Sequence, residues 1–74
     1  MPETVYTTQR IFDTISGERI LSVQVNGGSL TVECQHGDGT WVEAKSYTDD
    51  AVESMEFMNR TFRFTPAGGA TYAL

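Results

Sequence analysis

The sequence predicts an all-β protein, a small antiparallel β-sandwich or jelly roll of about seven short strands. Groups of turn-forming residues recur about 9 to 11 residues apart, the spacing of short strands in a sandwich or barrel. The runs between them are rich in Val, Ile, Thr, Tyr and Phe, which suit a pleated and half-buried surface. Residues 29–35 alternate strictly between apolar and polar side chains, as expected for a strand with one buried face.

The length of 74 residues suits a single domain, which we expect to span residues 1–74 with residues 1–4 as a flexible N-terminal arm. A domain of this size buries only about 60% of the surface that its unfolded chain exposes. The single cysteine cannot close an internal disulfide, and the sequence contains no set of zinc ligands. We therefore expect the domain to be stabilised by self-assembly or by docking on a larger particle.

The formal net charge of -5 argues against binding to nucleic acid or to an anionic membrane surface, because both favour a basic patch. No apolar run approaches the roughly 20 residues of a membrane span. The first ten residues lack the basic start and apolar run of a signal peptide. We expect a protein that is made soluble and in the cytoplasm, which leaves its assembly into a larger particle open.

In chain order, the first strand is predicted over residues 5–12 and the second over residues 18–25, with a turn at Ser16-Gly17 between them. The Asn26-Gly27-Gly28 sequence predicts the next turn, because Asn and Gly tolerate positive φ angles. The inward face of the second strand consists of Leu21, Val23 and Val25.

Residues 29–47 predict a hairpin closed by the three-residue loop Gly37-Asp38-Gly39. In this register Cys34 faces Val42, and Val32 faces Ala44, so that apolar side chains meet across the pair. A loop one residue longer or shorter would place Val32 opposite a charged side chain.

The same register has two further consequences. It sets Glu33 against Glu43 on the outer side of the hairpin. It also turns four side chains away from the hairpin's own core: Trp41, Glu43, Lys45 and Tyr47.

The segment from Thr48 to Arg60 admits two interpretations. Asp50 followed three residues later by Glu53 forms a possible capping box for a helix. A strand with Asn59-Arg60 as a turn is favoured by the all-β context, and it places three side chains on one side: Ala51, Met55 and Phe57. Two more strands follow, over residues 61–65 with Phe62 and Phe64 inward, and over residues 70–74 after the Pro66-Ala67-Gly68-Gly69 break.

No catalytic, cofactor or metal site is predicted. Cys34 and His36 share a strand face but lack a third group to orient the imidazole, so Cys34 is interpreted as a small core residue. Asp38, Asp49 and Asp50 lack the alternating spacing of a calcium loop and are interpreted as turn residues that bond their own backbone. The glycine pairs lack the strand-to-helix context of a phosphate loop.

Two motifs carry a family resemblance: TVECQHGDGTW at residues 31–41 and NRTFRFTPAGGATYAL at residues 59–74. From Leu21 onward, over about 50 residues, the order of strands and motifs resembles small β-sandwich modules of tailed-bacteriophage virion proteins. Such modules occur in capsid decoration proteins, head fibres and tails. The resemblance implies a structural virion role without catalytic residues, and the acidic segment from Asp49 to Glu56 departs from it.

The function expected from these observations is that of a non-enzymatic virion structural protein, in the first place a capsid decoration (cement) protein that stabilises the head. Its expected partners are copies of itself, as a homotrimer, and a major capsid protein or another virion protein. The candidate interface residues are Trp41, Tyr47, Tyr6, Pro2 and Val5.

Two alternatives remain open at this point. One is a tail or fibre module that recognises a host glycan through Trp41 and tyrosines. The other is an acidic inhibitor that docks on a basic host surface through Asp49, Asp50, Glu53 and Glu56.

Overall fold

The structure is a computed structural model of the chain, and it describes residues 4–74. All regular structure within that range is β-strand, and the strands form one antiparallel sheet in the order β1-β6-β2-β5-β3-β4. The strands are β1 Val5–Tyr6, β2 Arg10–Gln24, β3 Ser29–Gln35, β4 Trp41–Tyr47, β5 Ala51–Ala67 and β6 Thr71–Ala73. The predicted all-β class is confirmed, with six strands instead of about seven. None of the described residues forms a helix with the length and apolar character of a membrane span.

Two long strands, β2 and β5, form the frame of the fold. They pair from Arg10 opposite Phe64 to Val23 opposite Ala51. At one end, residues 22–24 of β2 also pair with β6, and at the other end residues 62–67 of β5 pair with β3. The two halves of the frame therefore have different neighbours and belong to two layers.

The frame bends sharply between the two layers. The ring centroids of Phe57 and Phe62 lie 4.9 Å apart, although five residues of extended strand span about 17 Å. The bend coincides with residues of positive φ, namely Asn59 at 62°, Thr14 at 50° and Gly17 at 88°. The single sheet thus folds over its own core in the manner of a small sandwich.

The core lies between the two layers and is built from the inward faces predicted by alternation. Its largest fully buried side chains come from four strands: Leu21, Leu30, Val32, Phe57, Phe64 and Tyr72. Phe64 stacks on Tyr72 with ring centroids 5.2 Å apart, which joins β5 to β6 across the interior. Burial raises the pKa of Tyr72 to about 12, and its hydroxyl donates a 3.2 Å hydrogen bond to the Thr8 carbonyl.

Three predicted boundaries were wrong for reasons of topology. The strand expected over residues 5–12 is interrupted at residues 7–9, because β1 pairs with β6 in one layer whereas Arg10 begins the strand that pairs with Phe64 in the other. The turns expected at Ser16-Gly17 and Asn59-Arg60 lie inside continuous strands, where Gly17 pairs with Phe57 and Asn59 is an extra residue between the paired Met58 and Arg60. Residues 49–58, left open between helix and strand, belong to the turn before β5 and to β5 itself.

The predicted hairpin loop is confirmed. The His36 amide donates to the Thr40 carbonyl, the Gly39 amide donates to the His36 carbonyl, and Gly39 has a φ of 93°. Cys34 faces Val42 and Glu33 faces Glu43, as the register requires.

Beyond this point the register prediction was wrong. A bulge at Ala44 sets Val32 opposite Lys45 instead of Ala44. The extra residue reverses the faces of all later side chains of β4, so Tyr47 faces Leu30 and points into the core.

Candidate interaction surface

The five residues expected at an interface lie in different environments. The prediction of Tyr47 as an interface residue was wrong, because only 8% of its surface is exposed and it belongs to the core cluster. Tyr6 is half-buried and stacks on Tyr72 at 5.3 Å, so it packs against the core. Val5 is exposed, Trp41 is half-buried, and Pro2 lies outside the described residues.

Trp41 faces outward and is covered on one side by an arginine. The guanidinium carbon of Arg63 lies 4.4 Å from the centre of the Trp41 ring. Arg63 also holds Glu33 at 2.9 Å and 3.0 Å through two nitrogen atoms. One face of the indole is therefore taken up inside the molecule, which leaves less ring for stacking a sugar.

Tyr47 anchors a small polar network at the margin of the core. Its hydroxyl donates a hydrogen bond to the Glu53 carboxylate, which also accepts a 2.7 Å bond from the Lys45 ammonium. Burial and the bond to the carboxylate raise the pKa of Tyr47 far above its ordinary value. The hydrogen bonds from Lys45 and Tyr47 lower the pKa of Glu53, because they favour its ionised form.

The acidic segment does not form a uniform charged face. The Asp50 carboxylate accepts a 2.8 Å hydrogen bond from the Val25 amide, and Glu53 is bound by Lys45 and Tyr47. Asp49 and Glu56 are exposed. Two of the four carboxylates proposed for docking on a basic surface thus have partners within the chain.

The remaining polar candidates lie in the hairpin loop or directly beside it. The Asp38 carboxylate accepts hydrogen bonds from the hydroxyl and amide of Thr40, at 2.7 Å and 3.0 Å, and these bonds lower its pKa. His36 is exposed in the same loop, and Cys34 is half-buried beside it. Within residues 4–74, no three His, Cys, Asp or Glu side chains gather closely enough to hold a metal ion.

Four of the six exposed large apolar side chains among the described residues lie on the outer face of one layer. This first layer consists of β1, β6, residues 16–24 of β2 and residues 51–58 of β5, and the second layer consists of the remaining halves of β2 and β5 with β3 and β4. Directly opposite residues of neighbouring strands share a face of the sheet. The pairings therefore place four residues in one row across β1, β6, β2 and β5, in the order Val5, Ala73, Ser22 and Val52. Ile20 lies two residues before Ser22 on the same face, diagonal to Val52. We call these five residues the outer-face row.

Three of the five residues of the outer-face row are open to solvent, Ala73 is buried between them, and the row carries no charge. Val5 is 59% exposed, Ile20 53% and Val52 73%. A shallow groove of about 180 Å³ lies beside Val5, Gln24 and Thr71, so the row is not flat. The next outward pair of β2 and β5 beyond Ile20 and Ser54 is Glu18 and Glu56, which face each other.

The comparisons with known proteins give no relative. No protein-family model, no curated protein and no solved structure matches this chain. The function is therefore argued from the geometry and from the motifs of the sequence.

Most of the outer-face row was missed by sequence reasoning, which found Val5 alone. Val5, Ile20 and Val52 lie far apart in the chain, and they become neighbours only through the strand order. One local signal was available. Alternation that puts Leu21 inward puts Ile20 outward, so an exposed isoleucine was implied on a predicted strand.

Proposed function

We propose that this protein is a non-enzymatic structural protein of a tailed-phage particle, and specifically a capsid decoration protein. It binds neighbouring shell subunits through the outer-face row and strengthens the contact between them. The observation that carries the proposal is the row itself, because an uncharged, exposed apolar strip on so small a domain is typical of an interaction site. The virion setting rests on the resemblance of the two motifs at residues 31–41 and 59–74.

The mechanism is mechanical. A domain whose frame strands continue through both layers is stiff, so it loses little conformational freedom when it docks. A standard protein interface buries about 1,600 Å² in total, which is more than the outer-face row alone can supply. Many copies on one shell gain avidity, so that no single contact has to be strong.

The outer-face row supports this role better than Trp41 supports glycan recognition. A sugar-binding platform needs free aromatic faces, and Arg63 covers one face of Trp41. Tyr47 is directed into the core and Tyr6 is packed on Tyr72, so neither extends such a platform. Self-assembly as a homotrimer remains part of the proposal, with the solution mass as its measurement.

The direct test uses shells assembled from the capsid protein encoded nearest to this gene. The purified protein is mixed with these shells and sedimented. We expect it to pellet with the shells, to saturate at a fixed number of copies per shell subunit, and to raise the temperature at which the shells fall apart. Shells that pellet without the protein would contradict the proposal.

A further inference from the structure

The first half of β5 is an open sheet edge. Residues 51–58 pair with β2 on one side, and β3 pairs with β5 only from residue 62 onward. Within residues 4–74 no other strand pairs with the free side of this segment. Half of its backbone amides and carbonyls therefore point outward, as a template for another strand.

This edge lacks the features that block pairing elsewhere in the sheet. Natural edges are protected by short strands, bulges, proline or charged side chains, of which lysine is the commonest. β1 has two residues, β4 is bulged at Ala44, and the free side of β2 is interrupted by shifts between Phe12 and Ser16. Residues 51–58 pair regularly with β2 and contain no proline, lysine or arginine. Of their two carboxylates, Glu53 faces inward and is bound by Lys45 and Tyr47, and Glu56 faces outward.

The most exposed apolar side chains of the sheet lie at the two ends of this edge. Val52 and Met58 are both 73% exposed and both face outward. Val52 also ends the outer-face row, so the apolar strip runs directly to the open edge.

A second copy of the chain fits this edge in one register. A twofold axis perpendicular to the sheet keeps the two outer faces on the same side, so Val52 must face an outward residue of the other copy. A register centred on Ser54 sets Val52 against Glu56. A register centred on Met55 sets Val52 against Met58 and Ser54 against Glu56, so apolar side chains meet and no carboxylate faces another.

We propose that two copies of this protein pair antiparallel through residues 51–58 of β5, centred on Met55, to form one continuous sheet across the dimer. The pairing does not rest on binding to a shell, since it involves this chain alone. It is a twofold contact through the sheet edge, separate from the heterologous contact that the proposed homotrimer requires. The short edge buries little surface, so we expect a weak dimer that high local concentration favours.

The first test is a charge exchange at the two positions that the register brings together. Val52→Lys with Met58→Lys sets like charges opposite each other at both ends of the ladder. Val52→Lys with Met58→Glu removes the same apolar side chains but sets opposite charges there. We expect the dissociation constant, from sedimentation equilibrium, to be larger for the first variant by about tenfold or more. Equal dissociation constants for both variants would overturn the register.

The second test is cross-linking in a Cys34→Ser background. Val52→Cys with Met58→Cys sets each new thiol opposite its counterpart in the other copy, where mild oxidation should link the copies. Ile11→Cys with Ile20→Cys is the control, because both residues are more than half exposed but lie in different layers, away from the edge that the pairing joins. Equal cross-linking of the two pairs, or a monomeric mass at every concentration up to the solubility limit, would overturn the proposal. A stable trimer without the Val52–Met58 cross-link would also overturn it.

Discussion

Arg63 joins an aromatic ring and a carboxylate on the outer face of the second layer. Its side chain and that of Glu33 are 25% and 20% exposed, so the ion pair is largely shielded from water. Arg63→Ala should lower the free energy of unfolding by about 1–3 kcal/mol, because it removes the contact with Trp41 and leaves Glu33 half-buried without its partner. Urea unfolding followed by the fluorescence of Trp41 measures this loss.

Two further variants separate the causes. Arg63→Lys should recover only part of the loss, since an ammonium can neither stack flat on the indole nor use two nitrogens on one carboxylate. Arg60→Ala is the control, because the Arg60 guanidinium reaches only the Gln35 carbonyl at 3.5 Å. A cost for Arg60→Ala as large as that for Arg63→Ala would contradict this account.

Glu53 makes the free energy of unfolding depend on pH in the acidic range. Its lowered pKa means that the folded state holds the ionised carboxylate more strongly than the unfolded state does. That contribution is fully present above the unfolded pKa of about 4.3 and is lost as the pH falls through the lower folded value. We therefore expect the difference in unfolding free energy between the wild type and Glu53→Gln to shrink as the pH falls from 7 into this range.

The baseline for this titration is Glu56→Gln, which removes an exposed, outward carboxylate from the same strand. A difference between wild type and Glu53→Gln that stays constant from neutral pH to below the unfolded pKa would show that the bonds from Lys45 and Tyr47 do not hold Glu53 ionised.

At the scale of elements, the bulge at Ala44 decides which residues of β4 face the core. Deleting Ala44 keeps all the observed pairs of the hairpin, since Glu33–Glu43 and Val32–Lys45 then follow each other directly. Deleting Ser46 instead would turn Tyr47 out of the core. We expect the second deletion to cost at least about 3 kcal/mol more than the first, because it also empties the site of a buried aromatic side chain.

Thermal unfolding of the two deletion variants tests this expectation. A domain of this size has a total stability of about 4–11 kcal/mol, so the Ser46 deletion should bring it close to unfolding at room temperature. Equal melting temperatures would contradict the assignment of Ala44 as the extra residue.

The turns at residues 26–28 and 67–69 touch at a glycine. A Cβ atom on Gly28 would lie 1.8 Å from the Ala67 carbonyl oxygen. Relief of this clash would require the backbone to move, which costs much more energy than the rotation of a side chain. Gly28→Ala should therefore cost several kcal/mol, beyond the range of about 0.5–3 kcal/mol usual for single substitutions. Gly37→Ala is the control, since nothing lies within 4 Å of its Cβ position. A chemical denaturation series in which both variants match the wild type would refute this close contact.

For elements, the sequence predicted strands better than it predicted turns. Alternation correctly placed Leu21, Val23, Leu30 and Val32 inward, because a half-buried strand leaves a local pattern. Turn chemistry misassigned Asn59 and Gly17, since residues that tolerate positive φ serve turns, bulges and bends of a strand equally well. Only the pairing of β2 with β5 across the whole frame distinguishes the two.

At the scale of the whole molecule, the candidate site was hidden for a different reason. The inward face of a strand can be recognised from the apolar–polar alternation of its own residues. The outer-face row, in contrast, is formed only when four strands take their places in the sheet. Tyr47 illustrates the same limit, because one extra residue at Ala44 reverses the face that its local pattern indicates. Fold class and core can therefore be predicted from local patterns in this chain, whereas the candidate interaction surface depends on how the strands are ordered in space.

A pair of matched variants tests most directly whether the outer-face row binds the shell, as we propose. Ile20 and Val42 are both 53% exposed, but Ile20 lies in the row whereas Val42 lies on the face shared with Cys34. Measured by sedimentation with shells, Ile20→Asp should weaken binding by about tenfold or more, because it buries a charge in an apolar contact. Val42→Asp should bind like the wild type. Equal shell affinities of the two variants would contradict shell binding through the outer-face row.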